Sequence, residues 1–298
     1  MNKKNIQKKK GAQIYKKEKI LAVLGPKNTY TDMAAEKYRM LKRTIIKKEY
    51  FHTIGDVFGA VEKGKAEEGI IPLENMIYGS VRETYDDLFN SNVHIREKLK
   101  INIKHSLVTL PGTKKSDIHV IASHEQALQQ CREYLKKHFP FAQKEYCTST
   151  MAALQKMIDG GERGMAVIVP VYAAQGLPLK ILAKNLENQA KNVTTFIVIK
   201  KGPCTEKIKG GPCRLETAIA FYFREDSPGR LYMVFREFAA SGINLSHIES
   251  RPSLKQVGNY VFFLNFDGSA YDKKAAAVLK SIESRVAKLK ILGVYKKT

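Results

Sequence analysis

Hydroxyl and amide side chains follow several short apolar runs of this chain, at positions where strands are predicted to end. Five such residues are Thr29, Asn75, Ser80, Gln126 and Thr150. Because these groups donate and accept hydrogen bonds, together they suit a small substrate rich in oxygen atoms. Helices are predicted to begin at Thr29 and Ser80, and the first backbone N–H groups of a helix can receive a carboxylate.

The same residue types also have simpler interpretations. Thr29 and Ser80 are typical N-caps of helices. A histidine before a helix, such as His124, is more often structural than catalytic. Thr194 opens a predicted strand and by itself indicates only β-propensity. No single residue therefore decides between a structural and a functional role.

The elements that must position these residues alternate between strand and helix. Strands are predicted at residues 20–24, 69–73, 101–110, 118–122, 165–169 and 195–200, and helices at 29–38, 80–89, 125–138 and 148–158. This order is typical of an α/β architecture with a mostly parallel sheet. Binding residues are then expected in loops at the carboxyl ends of the strands.

A change in composition separates the last part of the chain. Residues 201–214 contain two Gly-Pro steps among lysines and no apolar periodicity, which indicates a linker. Beyond the linker, strands are predicted at 217–223, 243–248, 260–266 and 291–295, and helices at 229–240 and 273–286. The order βαββαβ predicts a small ferredoxin-like domain over residues 215–298.

Length and composition exclude several classes of protein. With 298 residues, of which 44% are hydrophobic, the chain can bury one or two ordinary cores. Its apolar runs fall short of the roughly 20 residues of a membrane span, and no apolar segment follows the Lys-rich start as a signal peptide requires. Four scattered cysteines fit neither a disulfide framework nor a CxxC metal site. A cytoplasmic protein without a membrane partner is expected.

The chain is strongly basic, with 51 Lys and Arg against 29 Asp and Glu and a net charge of +22. Residues 1–19 hold eight of the lysines and one glutamate, which predicts a disordered basic arm. The rest carries neither an Arg-rich helix nor zinc-finger spacing, so nucleic acid is not the expected partner. A basic surface is equally typical of an enzyme that acts on a small polyanion.

A family resemblance follows from short motifs that occur in one order. Residues 24–31, 71–81, 123–131, 148–153 and 192–196 resemble successive motifs of the prephenate dehydratases, including Glu-Asn followed by Gly-Ser-Val and a final Asn-x-Thr-x-Phe. Residues 228–231, 242–245 and 249–252 resemble the ACT regulatory domain attached to these enzymes. Each motif alone is weak, but the ordered set is specific and extends from about residue 20 to residue 298.

The resemblance implies a two-lobed catalytic domain over residues 20–200, similar to a periplasmic binding protein, with a second lobe at about 101–190. It implies a ferredoxin-like ACT domain over residues 215–298. The implied enzyme is a lyase that converts prephenate to phenylpyruvate, with loss of carbon dioxide and water, in phenylalanine biosynthesis. It needs no metal or organic cofactor. Phenylalanine would be its feedback effector, and the assembly a homodimer or homotetramer.

The resemblance also assigns roles to individual residues. Thr194 corresponds to the threonine that protonates the departing hydroxyl. The implied substrate contacts are Thr29, Asn75, Ser80, Gln126, Thr150, Thr195 and Phe196. The implied phenylalanine contacts are Gly229, Leu231, Asn244, Glu249, Ser250, Arg251 and Pro252.

The chain departs from the family pattern at four positions. Thr195 replaces an arginine that usually follows the catalytic threonine, and Met76 replaces a serine or threonine. Asn28 and Arg230 stand where glycine and a small residue are usual. An arginine can hold a carboxylate with two charge-assisted hydrogen bonds, whereas threonine offers one neutral donor. Loss of these arginine hydrogen bonds would reduce the free energy of substrate binding or of transition-state stabilisation by roughly 2–4 kcal/mol.

These departures leave three alternatives to the dehydratase. One is a related enzyme, either a prephenate decarboxylase that retains the hydroxyl or an arogenate dehydratase. Another is a non-catalytic protein that senses amino acids, although the presence of Thr194, Asn75 and Ser80 argues against it. The third, a nucleic-acid-associated protein, is suggested only by the net charge.

Overall fold

A computed structural model describes residues 19–42, 45–189, 191–205, 215–225, 227–252 and 260–297. The predicted basic arm before Lys19 and residues 206–214 of the predicted linker lie outside the described residues.

The described residues form fifteen strands and eight α-helices. The strands are β1 (Lys19–Leu24), β2 (Ile46–Phe51), β3 (Glu68–Asn75), β4 (Gly79–Ser80), β5 (Val93–Asn102), β6 (His105–Thr109), β7 (Val120–His124), β8 (Gln143–Cys147), β9 (Met165–Pro170), β10 (Lys180–Lys184), β11 (Val193–Lys201), β12 (Leu215–Tyr222), β13 (Leu245–Pro252), β14 (Tyr260–Asp267) and β15 (Lys288–Lys296). The helices are α1 (Tyr30–Lys42), α2 (Ile54–Glu62), α3 (Arg82–Asn90), α4 (Glu125–Gln130), α5 (Arg132–His138), α6 (Thr150–Gly160), α7 (Arg230–Ala240) and α8 (Lys273–Glu283).

Two sheets organise these elements. The larger has ten strands in the order β13-β14-β12-β15-β5-β11-β3-β1-β2, with β4 paired to β3, and the smaller has the order β10-β6-β9-β7-β8. The predicted α/β class with two lobes and a βαββαβ unit is therefore confirmed. The chain passes from the first sheet to the second after β5 and comes back in β11. None of the described helices has the length and apolar character that crossing a membrane requires.

The expectation of a mostly parallel sheet is wrong. Strand β11 is antiparallel to both neighbours, β3 and β5, and in the smaller sheet β6 is antiparallel to both β9 and β10. The reason is topological. Strand β5 carries the chain out to the second sheet and β11 carries it back beside β5, so the two must run in opposite directions.

Apolar residues on both faces explain why β3 lies inside the sheet. Ile70 and Ile71 are fully buried and contribute to separate clusters. On one face Ile70 packs in a cluster that contains Tyr38 of α1, and on the other Ile71 packs with Val57 of α2 and Leu88 of α3. Because side chains alternate along the strand, β3 packs against a layer of helices on each face of the sheet.

Several element boundaries differ from the sequence-based expectations. The predicted strand 101–110 is two strands, and the predicted helix 125–138 breaks at Cys131, whose φ and ψ are −108° and 11°. Strand β2 and helix α2 were not predicted. The sequence of β2 is largely polar because the strand lies at the edge of the sheet. Helix α2 carries a start signal, a capping box between Thr53 and Asp56.

A glycine lies where the C-terminal strands of the larger sheet meet its N-terminal strands. Strands β15 and β5 are parallel and pair at Gly293 and Ile95. A Cβ atom on Gly293 would lie 2.4 Å from the Ile95 carbonyl oxygen and 2.7 Å from its Cβ. The two strands can therefore approach this closely because residue 293 has no side chain.

The C-terminal strands share a core with the helices and strands of the first lobe. Phe263, Leu292 and Tyr295 are buried in one cluster with Leu88 and Ile95. The ammonium group of Lys290 donates hydrogen bonds to the backbone oxygens of residues 88 and 91, at 2.5 Å each, and so caps the end of α3. Burial lowers the pKa of Lys290 to about 8. The C-terminal unit is thus packed against the rest of the protein.

We expect Gly293→Ala to destabilise the protein, because the added methyl group must push β15 away from the Ile95 backbone. Overpacking of this kind costs about 1–3 kcal/mol. The change is measured as the free energy of unfolding in denaturant.

The control is Gly59→Ala in α2, where an added Cβ meets nothing within 4 Å. It should leave stability unchanged or raise it by up to about 1 kcal/mol, because alanine favours helix. If both variants were equally stable, the close approach at Gly293 would have no energetic importance.

Candidate active site

A cleft of about 440 Å³ lies between the two sheets. Its walls come from the carboxyl ends of β1, β3, β7 and β9 and from the first residues of β11, which reach the same edge because β11 is antiparallel to β3. Polar residues therefore gather at the strand ends, as the alternating pattern predicted.

The central contact of the cleft joins Asn75 and Thr194. The two residues are paired across β3 and β11, and the Asn75 side-chain amide donates a hydrogen bond to the Thr194 hydroxyl oxygen at 2.8 Å. A hydroxyl group has one proton. Since the Thr194 oxygen accepts from Asn75, its own proton remains for an acceptor elsewhere, such as a ligand in the cleft.

The orientation of the Asn75 amide is set by its other partners. Its oxygen accepts hydrogen bonds from the backbone N–H groups of Ile77 and Tyr78, at 3.0 and 3.1 Å. Its nitrogen also donates to the side-chain oxygen of Asn192 at 3.0 Å. Because the oxygen is held by the turn, the nitrogen must face Thr194. The loop after β3 thus holds the Asn75 amide in the orientation in which its nitrogen donates to Thr194.

Four further residues from the predicted set line the cleft: Thr29, Gln126, Thr150 and Phe196. Thr29 also acts as a cap, because its hydroxyl donates to the Pro26 carbonyl oxygen at 2.9 Å and accepts from the Asp32 N–H at 3.4 Å. Both interpretations of Thr29 are therefore compatible with its position. His124 lines the cleft as well, and its Nδ1 accepts from the Gln126 N–H at 3.3 Å.

Ser80 and Thr195 lie elsewhere. Ser80 belongs to β4 and does not begin a helix: α3 starts at Arg82, with Val81 as its N-cap. The Ser80 hydroxyl donates to a carboxylate oxygen of Glu249 at 3.1 Å. Thr195 is buried and is absent from the cleft lining, whereas its neighbours on β11, residues 194 and 196, line it. Alternation along the strand places Thr195 on the opposite face.

Three cleft residues to which the sequence analysis assigned no role, Tyr30, His105 and Gln130, form a network. The Tyr30 hydroxyl donates to the Lys104 carbonyl oxygen at 2.8 Å and lies 3.4 Å from Nδ1 of His105. Nε2 of His105 lies 2.6 Å from the side-chain oxygen of Gln130, to which it donates. The network connects α1 to the second sheet across the cleft. The sequence analysis missed this network because it placed His105 inside one continuous strand, 101–110, whereas a new strand begins at this residue.

Burial keeps this network uncharged. Desolvation raises the pKa of Tyr30 and lowers the pKa of His105, although the hydrogen bond to Gln130 acts against the second shift. Tyr30 therefore stays a neutral phenol and His105 a neutral imidazole near pH 7. With the proton on Nε2, the Nδ1 atom of His105 is an acceptor that faces Tyr30.

The side chains that line the cleft in the described part of the chain include no Lys, Arg, Asp or Glu. A bound carboxylate would therefore depend on backbone N–H groups and hydroxyls. The first turns of α1 and α6 lie on the wall, at residues 29–31 and 149–150. First-turn N–H groups lack acceptors inside their helix and favour a negative charge. Among the described residues, no His, Cys, Asp and Glu side chains cluster in a way that would hold a metal ion.

The predicted effector residues occupy the C-terminal unit. Gly229 is the N-cap of α7 with φ of 84°, a left-handed conformation that favours glycine. Leu231 packs against the core between α7, α8 and the sheet, and the Asn244 amide donates to Asp267 at 3.1 Å. Ser250 and Pro252 are exposed on one face of β13.

Glu249 and Arg251 occupy the other face of β13 and contact β4 and α3 of the first lobe. Glu249 accepts the hydrogen bond from Ser80, and Arg251 makes a bidentate ion pair with Asp86 of α3, at 3.0 and 3.1 Å. This arrangement links β13 to the segment that follows Asn75.

These observations define a two-lobed α/β enzyme in which the Thr194 hydroxyl is oriented to donate a hydrogen bond into the cleft between the lobes. The family model of prephenate dehydratase matches residues 21–204. The chain belongs to the prephenate dehydratase family.

Individual relatives agree with this assignment. A prephenate dehydratase of Methanocaldococcus jannaschii is 36% identical over 91% of this chain and 95% of the relative. A chloroplastic arogenate dehydratase/prephenate dehydratase of Arabidopsis thaliana is 31% identical over 80% of this chain and 63% of the relative. The solved structure of a prephenate dehydratase from Arthrobacter aurescens in complex with L-Phe is similar with a TM-score of 0.84, 28% identity, and coverage of 93% of this chain and 90% of that chain.

Proposed function

We propose that this chain converts prephenate to phenylpyruvate, with Thr194 as the group that assists departure of the ring hydroxyl. The observation that carries the proposal is the hydrogen bond from Asn75 to Thr194, which leaves the Thr194 proton available to the cleft. In this reaction the bond from the ring to its carboxylate carbon breaks and carbon dioxide leaves. The electron pair completes the aromatic ring as the C–O bond breaks.

The hydroxyl leaves as water when it receives the Thr194 proton during C–O cleavage, and Thr194 then takes a proton back from solvent. Because threonine is a weak acid, this proton moves only as negative charge develops on the leaving oxygen, to which Thr194 already donates a hydrogen bond. Such donors are effective when they are already oriented in a site that excludes water. Asn75, held by the turn after β3, supplies that orientation.

The charge of the cleft favours prephenate over arogenate. Arogenate carries an ammonium group where prephenate carries a ketone, and a buried ammonium needs an acidic partner. No Asp or Glu is among the described residues that line the cleft. The two carboxylates common to both substrates would be held by the first turns of α1 and α6.

We further propose the division into a catalytic domain of residues 20–200 and an ACT-like regulatory domain of residues 215–298, which binds phenylalanine in a homodimer or homotetramer. The L-Phe complex of the Arthrobacter aurescens relative supports the effector. Phenylalanine at β13 would act on the cleft through the Ser80–Glu249 and Asp86–Arg251 contacts. Both contacts lie on the segment that continues from Asn75 into α3.

We expect Thr194→Ala to lower kcat for phenylpyruvate formation by about 100-fold or more and to change KM by only a few-fold, because the lost contact acts during C–O cleavage. Thr194→Ser, which retains the hydroxyl, should keep most of the activity. Phenylpyruvate absorbance gives the rate, and mass analysis of the products distinguishes dehydration from decarboxylation alone. Near-normal turnover by Thr194→Ala would remove this residue from its proposed role.

Asn75→Asp tests the orientation of Thr194 in the same assay. A carboxylate accepts hydrogen bonds and would take the Thr194 proton, so kcat should fall by about tenfold or more near neutral pH. A protonated carboxyl group can donate again. Relative to the wild type, the variant should therefore regain activity as the pH falls toward 4, and a pH-independent loss would contradict the donor role of Asn75.

We expect Asp86→Ala to uncouple the cleft from the effector site, because it removes the ion pair with Arg251, while Asp86 itself neither lines the cleft nor is a proposed phenylalanine contact. The concentration of phenylalanine that halves activity should rise at least fivefold, within the 5- to 150-fold range of typical allosteric coupling. Calorimetric binding of phenylalanine should change by less than about threefold. Activity without phenylalanine should remain.

The matched control is Glu283→Ala, which removes an exposed carboxylate at the end of α8. It should leave both phenylalanine inhibition and binding unchanged. Unchanged inhibition in Asp86→Ala would show that the ion pair does not transmit the signal. Failure of both proteins to bind phenylalanine at millimolar concentration would leave the C-terminal unit as an oligomerisation module.

A further inference from the structure

His124 lies at the end of β7 and lines the cleft, yet it has no part in the reaction proposed above. It is the N-cap of α4, and its Nδ1 atom accepts a hydrogen bond from the backbone N–H of Gln126 at 3.3 Å. A backbone N–H can only donate, so Nδ1 of the neutral ring carries no proton and Nε2 carries one. The capping contact therefore fixes the tautomer of His124.

The cap occupies one ring nitrogen of His124 and leaves the other available. In the part of the chain that the structure describes, no residue makes a hydrogen bond with Nε2. The two nitrogens of an imidazole point in different directions, so Nε2 is turned away from the α4 backbone that Nδ1 contacts. Nε2 is a donor whether the ring is neutral or charged. A ligand in the cleft can therefore receive its hydrogen bond.

Strand pairing places His124 beside the first turn of α6. His124 pairs with Cys147 across the parallel strands β7 and β8, and residues 148–150 follow directly along the cleft wall. These strands belong to the second sheet, whereas Thr194 lies on β11 of the first. The first lobe thus contributes the Thr194 hydroxyl to the cleft, and the second lobe contributes the His124 donor.

The shape of prephenate suits this separation, and the inference made here rests on the proposed function. In prephenate, the hydroxyl and the keto-acid side chain are attached to opposite carbons of the six-membered ring. When Thr194 contacts the hydroxyl, the side chain is therefore directed toward the second lobe. A carboxylate held at the first turn of α6 then brings the neighbouring ketone oxygen beside His124.

We propose that Nε2 of His124 donates a hydrogen bond to the ketone oxygen of prephenate, and that this contact selects prephenate over arogenate. The other polar side chains on the second-lobe wall are amides and hydroxyls and a second histidine, His105, whose two nitrogens already face Tyr30 and Gln130. Amides and hydroxyls can exchange donor for acceptor by rotating. His124 cannot, because rotation of its ring would break the cap.

The ammonium group of arogenate can only donate, so opposite His124 it would lack an acceptor. A buried donor that is left unpaired is costly. A site built to donate to one group of a substrate therefore rejects an analogue in which a donor replaces that group.

The first test is calorimetric titration of the full chain with phenylpyruvate and with 3-phenylpropanoate, which lacks the ketone. His124→Asn retains an N-cap oxygen but is too short to donate from the position of Nε2. It should weaken phenylpyruvate binding about fivefold or more, and binding of 3-phenylpropanoate by less than twofold. His124→Gln, whose amide nitrogen reaches the position of Nε2, should restore part of the lost affinity. Thermal unfolding of each variant verifies that it is folded.

The second test compares kcat/KM for prephenate with kcat/KM for arogenate. His124→Glu places an acceptor where the donor was, so the ratio of the two values should fall at least 30-fold. The controls are His52→Asn and His52→Glu, which make the same substitutions at an exposed histidine that does not line the cleft. They should change neither the binding of the two acids nor the ratio by more than twofold.

Three results would overturn the proposal. One is a wild-type protein that binds phenylpyruvate no more tightly than 3-phenylpropanoate. Another is equal weakening of both acids by His124→Asn, which would restrict His124 to its role as an N-cap. The third is an unchanged ratio in a folded His124→Glu protein. If the wild type turned over neither prephenate nor arogenate, the proposed function would be wrong, and the calorimetric comparison would still decide whether His124 donates to a ketone.

Discussion

The pairing of β11 with β3 is the constraint on which the rest of the site depends. It places Thr194 opposite Asn75, and the register shift between Thr195 and Phe196 accommodates one extra residue of β3. Side chains alternate along a strand, so a slip of one residue would turn Thr194 away from the cleft. The buried residues Ile197 and Ile199 oppose such a slip, because it would exchange their core for the other face of the sheet.

The same alternation divides two functions between the faces of one sheet. Thr194 faces the cleft, whereas Thr195 is buried on the opposite face of β11. The loop after β3 serves both sides, because Asn75 contacts Thr194 and Ser80, five residues later, contacts Glu249. A shift of β13 would therefore be transmitted to Thr194 through residues 75–80 alone. The proposed coupling needs no further residues between the two sites.

The sequence predicted the position of a site residue where that position depends on neighbouring residues in the chain. It failed where the position depends on contacts with distant parts of the chain. Thr29, Gln126 and Thr150 stand at loops or helix starts that periodicity identifies, and each lines the cleft. The face toward which Ser80 and Thr195 point depends on strand pairing and on the C-terminal unit, neither of which is local. The Tyr30–His105 network joins residues 75 positions apart. Periodicity detects no such contact, and the polar edge strand β2 and the break at Cys131 also lacked an apolar signal.

The shared core changes what removal of the C-terminal unit can show. Phe89, at the end of α3, packs in one cluster with Phe263 and Tyr295, and Lys290 caps the same helix. A chain that ends near Lys201 would expose this cluster and leave α3 without its cap. Loss of regulation in such a chain would then be inseparable from displacement of α3, which begins at the cleft. Only a substitution that keeps the core intact, such as one at the Asp86–Arg251 pair, can separate coupling from stability, because that pair lies at the edge of the shared core rather than within it.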